Sequence, residues 1–297
     1  MATSPSQVTP TPLSSLEALS DANILARFNR YQRLPAADHP FTERASLFVI
    51  TDDTVGKLFE NPGIEEDLDD RYPAEAFTLE VVAKYTSIPV PRVHRIVRHT
   101  YGWIIVMDRV PGRQLSTLWP AMSDAEKEGV VEQLTDYIRQ LRAIDIPNLH
   151  VPGPMDREML PRVIDSEYIF GSIGGCRGPF ASYDDLAAFF EQRRGILRDS
   201  TLPHIDKSYP LVVTHEDLHP RNLVLDETGK LWVVDWGSAG VYPEWWEALA
   251  MEQAALYGEV AKVWADPSWK AIIPRVCGEY PDVKRWIISI EQTFNLK

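Results

Sequence analysis

The chain has 297 residues, 44% of them hydrophobic, which is enough for a substantial core and for two units of ordinary domain size. Its formal net charge of -13 argues against a nucleic-acid partner, because phosphate backbones are held through a surplus of Lys and Arg, and it is compatible with a cationic small substrate. No apolar run is long enough to span a membrane, and two cysteines far apart, Cys176 and Cys277, make no disulfide framework, so a reducing, cytoplasmic setting is expected.

The first fifteen residues, MATSPSQVTPTPLSS, have neither an apolar signal core nor the arginines of a transit peptide. They read as a disordered tail, and the tail with a helical lead-in fills residues 1–40. Three apolar strands are expected at 47–50, 55–59 and 103–107, with Lys57 inside the second. The densest acidic run, Glu65, Glu66, Asp67, Asp69 and Asp70, follows that strand; it reads as a solvated loop, or as an attractor for a polyamine. A helix is expected over Ala74–Tyr85, opened by Pro73 and stopped ahead of Pro89 and Pro91. Residues 106–110 then pass from an apolar strand into Pro111 and Gly112, the punctuation expected of a hinge.

Beyond residue 111 the pattern becomes mostly helical. Ser123 and Glu126 have the spacing of a capping box for a helix reaching Arg142, and Val130, Leu134, Tyr137, Ile138 and Leu141 give it one apolar face. A second helix after Ser182 should bury Leu186, Phe189 and Phe190. The glycines between Gly171 and Gly178 suggest a flexible border to a binding site. Trp245 and Trp246, after Tyr242 and Pro243, read as the seat of a helix rather than a sugar-stacking platform.

The most informative stretch is 212–237, VVTHEDLHPRNLVLDETGKLWVVDWG. Pro220 breaks any helix through its first part, and 223–225 with 231–234 read as two short strands joined by Asp226, Glu227, Thr228 and Gly229. Such a hairpin brings Asn222, at the start of one strand, beside Asp235, at the end of the other, with Asp217 on the loop before them. Read as H-x-D-x-x-x-x-N followed by D-x-G, the pattern supplies a carboxylate to orient or deprotonate a hydroxyl, then a carboxamide and a second carboxylate to hold magnesium. The same residues also spell H-E-x-x-H, a zinc-hydrolase signature that requires both imidazoles on one helical face. Pro220 directly after His219 works against that helix, and the zinc reading leaves Asn222 and Asp235 unexplained.

HEDLHPRN, VVDWG and YPEWWE, with TSIPVPRV at 86–93, VMDRVPG at 106–112 and GPF at 178–180 upstream in the expected order, resemble the aminoglycoside phosphotransferase and choline kinase group, closest to its fungal-type members. The resemblance runs from about residue 47 to about residue 257. It implies an α+β, two-lobed protein-kinase-like fold, with a small antiparallel-sheet N-lobe at 41–110 that binds nucleotide and a mainly helical C-lobe at 111–297. The implied activity is transfer of the γ-phosphoryl of ATP, with Mg2+, to a hydroxyl of a small molecule.

Carried over residue by residue, the resemblance makes Asp217 the catalytic carboxylate and Asn222 and Asp235 the metal ligands. Lys57 would hold the α- and β-phosphates and be positioned by Glu75. Glu80 competes for that task but lies five residues on, about 140° round the helix. The carbonyl of Asp108 and the amide of Val110 would meet the adenine edge, with Met107 flanking the ring. His219 would reach the γ-phosphate, and His215 would pack against the loop. No Gly-rich loop precedes Lys57, so Ser46 or Thr51 stands in for it. Two positions depart from the family pattern: Glu216, where Gly is usual, and Gly56, where an apolar residue usually precedes the lysine. A nucleotide-binding scaffold of weak or no catalytic power remains the alternative from a different class.

Overall fold

Alternating side chains in residues 47–60 decide how the first part of the chain packs. The computed structural model describes residues 14–32, 47–60, 71–100, 102–171, 176–261 and 266–294. The acidic run, Ser46, most of the Pro- and Ser-rich tail and residues 172–175 lie outside them. The chain divides into two compact units, one comprising Met1–Pro73 with Pro91–Val110, the other Ala74–Val90 with Pro111–Lys297. The architecture is the expected α+β, with a small antiparallel sheet in the first unit and mainly helices in the second.

In the first unit, β1 (Leu47–Val49), β2 (Thr54–Glu60), β3 (Val93–His99) and β4 (Gly102–Asp108) form one antiparallel sheet in the order β1-β2-β4-β3. A short α1 (Ser14–Glu17) and α2 (Asp21–Tyr31) precede it. Ser20 caps α2 by accepting from the Asn23 amide, and Ile24, Phe28 and Tyr31, on one side of the helix, bury against Phe48, Ile50, Leu58, Val97 and Ile104. Arg95 donates to the Leu19 carbonyl at 2.5 Å and Arg27 to that of Ile50, tying the helix to the sheet.

Gly56 has a steric cause. It stands directly opposite Phe48, whose ring packs with Phe28 at a centroid distance of 5.3 Å, and a β-carbon on residue 56 would run into that ring. Lys57 alternates to the opposite face from Gly56 and Leu58, away from the α2 core.

The second unit begins with α3 (Ala74–Tyr85), with the bounds expected from its flanking prolines. Past β5 (Arg113–Gln114) and α4 (Leu115–Leu118) comes α5 (Asp124–Arg142), with the Ser123 and Glu126 capping box formed in both directions and the expected apolar stripe buried. β6 (Gly153–Pro154), β7 (Ile164–Asp165), α6 (Glu167–Phe170) and β8 (Cys176–Arg177) follow, then α7 (Tyr183–Leu197), capped by Ser182. β9 (Leu211–Thr214), β10 (Leu223–Leu225), β11 (Leu231–Val233) and β12 (Gly240–Pro243) lead to the closing helices α8 (Trp246–Ala261), α9 (Pro267–Cys277) and α10 (Pro281–Glu291). An aromatic core joins Phe170, Phe190, Tyr242, Trp245, Trp246 and Trp286. Trp245 and Trp246 are fully buried in it, which leaves no ring face for a sugar. Among the described residues, no helix is long and apolar enough to cross a membrane.

Candidate active site

The hairpin expected from the sequence is formed. β10 pairs antiparallel with β11 in the register Leu223 with Val233 and Leu225 with Leu231, and β5 extends the sheet on the other side of β10. The Asp226 carboxylate closes the turn by accepting from the Thr228 hydroxyl, the Trp232 indole and the Lys230 and Thr228 amides, which hold it well below the usual carboxylate range. Helix α5 grips the same turn: Gln133 donates to the Gly229 carbonyl at 3.1 Å and accepts from the Leu231 amide at 3.0 Å, while the Tyr137 hydroxyl donates to the Leu231 carbonyl at 2.9 Å. The chain after α3 adds a further bond, from the Val233 amide to the Pro89 carbonyl at 2.9 Å. The hairpin is therefore fixed from three sides within its own unit.

That rigidity fixes Asn222, which bonds Asp217 and pairs with Val234, the residue before Asp235. The Val234 amide donates to the Asn222 carbonyl at 2.9 Å, so the ladder continues one step past β11 and Asp235 directly follows the residue paired with Asn222. The Asn222 side-chain amide donates to the Asp217 carboxylate at 2.6 Å and to the Asp217 carbonyl at 2.8 Å. With its nitrogen turned to Asp217, the Asn222 carboxamide oxygen is the atom suited to a cation. Asp235 has a φ of 66°, a left-handed conformation that L-residues adopt at a cost of about 1–2 kcal/mol. Such strain is commonest where the surrounding structure must aim a side chain.

Residues 215–219 are not helical, so the zinc-hydrolase geometry is absent. Both imidazoles serve the backbone instead. His215 Nδ1 accepts from the Asp217 amide at 3.2 Å and its Nε2 lies 3.1 Å from the Val234 carbonyl, with the ring against Trp236. His219 caps the 3-10 turn Pro220–Asn222 through Nδ1, which accepts from the Arg221 amide at 3.2 Å.

Two acidic residues below the loop are buried. Glu247, in the first turn of α8, accepts from the amides of His215 at 2.7 Å and Glu216 at 3.1 Å, which anchors the loop from beneath. Glu216 has a φ of 70°, and its carboxyl lies within reach of Ser166, Trp246 and Tyr242 without a well-aligned bond to any of them. Burial pushes Glu216 up to about 8, against the pull of Ser166 and Trp246 and with further push from the Glu247 charge. Burial likewise raises Glu247 to about 7, opposed by the amides that it accepts from.

The structure also finds Tyr168, which the sequence reading did not single out. Its hydroxyl donates to Asp217 Oδ1 at 2.9 Å across 49 residues of sequence. Tyr168 stands on α6, a single turn in a segment without periodicity, and nothing local in the sequence signals that contact. Glu247 closes the YPEWWE motif, but its anchoring of the loop has no signal in the sequence beyond an acidic residue at the start of an apolar helix.

The remaining expected residues divide between the units. Lys57, Met107, Asp108 and Val110 belong to the first and Glu75 to the second. Lys57 is half-buried in the middle of β2, and Met107 and Asp108 end β4. The Asp108 carboxylate is taken by the Arg92 amide at 2.9 Å and by His94 at 2.6 Å. Thr51 donates to Asp53 at 2.6 Å within its own turn. Glu75 is buried, whereas the Glu80 carboxylate receives Arg157 at 2.6 and 2.9 Å.

The profile of the phosphotransferase enzyme family matches residues 42–251. No curated protein matches the sequence. Among solved structures, the chain is similar to aminoglycoside phosphotransferase APH(3'')-Id from Streptomyces rimosus in complex with ADP and streptomycin, at 16% identity, covering 93% of this chain and 99% of that one, with a TM-score of 0.49. It is also similar to spectinomycin phosphotransferase APH(9)-Ia with ADP and spectinomycin, at 14% identity over 81% and 71% of the two chains and a TM-score of 0.43. A thermostable mutant of APH(4)-Ia with AMP-PNP and hygromycin B matches at 15% identity over 84% and 94%, with a TM-score of 0.40.

Proposed function

The chain belongs to the phosphotransferase enzyme family and is a small-molecule kinase, and from that premise we propose that it moves the γ-phosphoryl of ATP to a hydroxyl of a small molecule, with Asp217, Asn222 and Asp235 as the reacting centre. The observation that carries the reading is the bonded group itself: Asn222 joined to Asp217 by its side chain and to the residue before Asp235 by its backbone.

Asp217 would accept the hydrogen bond of an acceptor hydroxyl, aim its oxygen for in-line attack and take the proton as the new O–P bond forms, while the bond from the γ-phosphorus to the bridging oxygen breaks and ADP leaves with the electron pair. Positioning dominates such a reaction, and the loop is built for it: Glu247 fixes two amides beneath, His215 bridges the loop to Val234, and Asn222 locks the carboxylate. Asn222 and Asp235 offer hard oxygen donors, the chemistry magnesium prefers, so they fit that ion. When bound it would offset the charge of the phosphates.

Lys57 is assigned to the α- and β-phosphates with Glu75 as its partner. Met107, Asp108 and Val110 are assigned to the adenine. His219, buried and with Nδ1 accepting from the Arg221 amide, is assigned to the γ-phosphate. The acceptor is proposed to be cationic on the strength of the net charge of -13. The cytoplasm is proposed as its compartment, since both Cys176 and Cys277 are free thiols.

The test is product analysis. The purified chain is incubated with Mg-ATP and a panel of aminoglycosides, choline-like amines and sugars, and the acceptors are weighed by mass spectrometry. One acceptor gaining a single phosphoryl group is expected. Tight nucleotide binding with no phosphorylated product across the panel would favour the scaffold instead.

A further inference from the structure

Both oxygens of the Asp217 carboxylate are engaged by side chains of the same unit. Oδ2 accepts from Asn222 at 2.6 Å and Oδ1 accepts from the Tyr168 hydroxyl at 2.9 Å. Resting on the function proposed above, Oδ1 is the atom that an acceptor hydroxyl would be expected to address. A phenol already bonded there occupies that direction of approach with the same chemical group, an O–H donor.

Tyr168 is held in that position by its neighbours. Ser166 caps α6 by accepting from the Ile169 amide at 3.3 Å, and the Phe170 amide donates to the Ser166 carbonyl at 2.9 Å. Ile169 and Phe170, the two residues after Tyr168, are fully buried in the aromatic core, where Phe170 packs edge-on against Trp246. Glu216, adjacent to Asp217, lies within reach of Ser166 from the other side. The backbone of α6 is therefore anchored on both sides of Tyr168, and the phenol can leave Asp217 only by rotation of its own side chain. Burial first, and the Asp217 carboxylate second, push the phenol well above its ordinary range, so it remains a proton donor throughout the neutral region.

A kinase whose catalytic carboxylate is exposed to solvent has a side reaction, because water is also an acceptor. In that reaction the water oxygen bonds to the γ-phosphorus and the bond from that phosphorus to the bridging oxygen breaks. ADP leaves with the electron pair, and the water proton passes to Asp217. We infer that Tyr168 is a specificity-determining residue that occupies the acceptor position on Asp217, keeps water from being phosphorylated, and yields only to an acceptor that can displace its hydroxyl.

The experiment needs no knowledge of the acceptor. Wild type and Tyr168→Phe, which keeps the ring and removes only the hydroxyl, are incubated with Mg-ATP alone and the free phosphate is measured. A rise of about tenfold or more is expected in Tyr168→Phe, and it should vanish in the double variant with Asp217→Asn. Should Tyr168→Phe fold poorly, Tyr168→Leu carries the same expectation. A second readout needs no nucleotide. In protein labelled at the tyrosine ring carbon, Asp217→Ala should let the Tyr168 phenol ionise at lower pH, because its bonded carboxylate is gone.

Phosphate release equal to that of wild type in both Tyr168 variants would overturn the inference and leave the proposed function standing. So would wild-type protein found phosphorylated on Tyr168, since the phenol would then be an acceptor and not its substitute. Phosphate transfer that persists undiminished in Asp217→Asn would instead sink the functional reading itself.

Discussion

Replacing Asp217 by Asn should lower the rate of phosphoryl transfer by about 10²–10⁴-fold, the range associated with loss of a positioned general base, while nucleotide binding persists. The substitution is nearly isosteric, so the loop should stay folded. Its anchors are the Glu247 bonds to the amides of His215 and Glu216 and the Asn222 bond to the Asp217 carbonyl, and none of them uses the Asp217 carboxylate. The oxygen of the new carboxamide would turn to accept from the Asn222 amide, as Asp217 Oδ2 does now at 2.6 Å, and its nitrogen would face the acceptor position where the Tyr168 hydroxyl now sits. An amide nitrogen there donates where the reaction needs an acceptor, so the hydroxyl is neither aimed nor deprotonated. Single-turnover transfer at saturating Mg-ATP, with nucleotide affinity from calorimetry alongside, separates chemistry from binding. A variant that turns over at the wild-type rate would remove Asp217 from the mechanism.

The second large effect concerns stability. Glu216 is buried with its carboxyl raised to about 8, against an ordinary value of 4.5 in the unfolded chain. The folded state therefore holds a proton that the unfolded state has released between those two values. Stability from this group is complete below about 4.5 and is lost as pH rises toward 8, an effect on the order of a few kcal/mol. Glu247, raised to about 7, acts in the same direction over a narrower window. Glu216→Gln keeps the volume and cannot ionise. Urea melts should thus show the variant close to wild type near pH 5 and clearly more stable near pH 9, with the gap opening between them. A constant difference across that range would mean that Glu216 does not carry the proton assigned to it.

The parts of the molecule legible in the sequence are those whose causes are local. Ala74–Tyr85 is bounded by prolines, the α5 capping box is two residues three apart, and the 223–233 hairpin is announced by its turn residues, so each could be drawn without tertiary information. The proposed reacting residues Asp217, Asn222 and Asp235 stand out in the sequence because that same hairpin sets their spacing. The roles of Tyr168 and Glu247 do not, since both residues reach the loop from elements distant in sequence, even though Glu247 closes the YPEWWE motif. The departure at Gly56 reads as an oddity until Phe48 is placed across the strand pair, where the ring fills the space of a side chain. The departure at Glu216 has a comparable explanation in a left-handed turn whose side chain dives beneath the loop toward Ser166 and Tyr242. Local patterns thus mark the proposed reacting centre, while the contacts that support it come from packing.

The proposed convergence of Asn222 and Asp235 on one divalent ion beside Asp217 can be measured directly. Manganese, a spectroscopic substitute for magnesium, can be titrated into the protein with a non-hydrolysable ATP analogue and followed by electron paramagnetic resonance. Wild type should hold a single ion, and Asp235→Ala should weaken it by roughly tenfold or more. Equal affinity in the two proteins would contradict the claim.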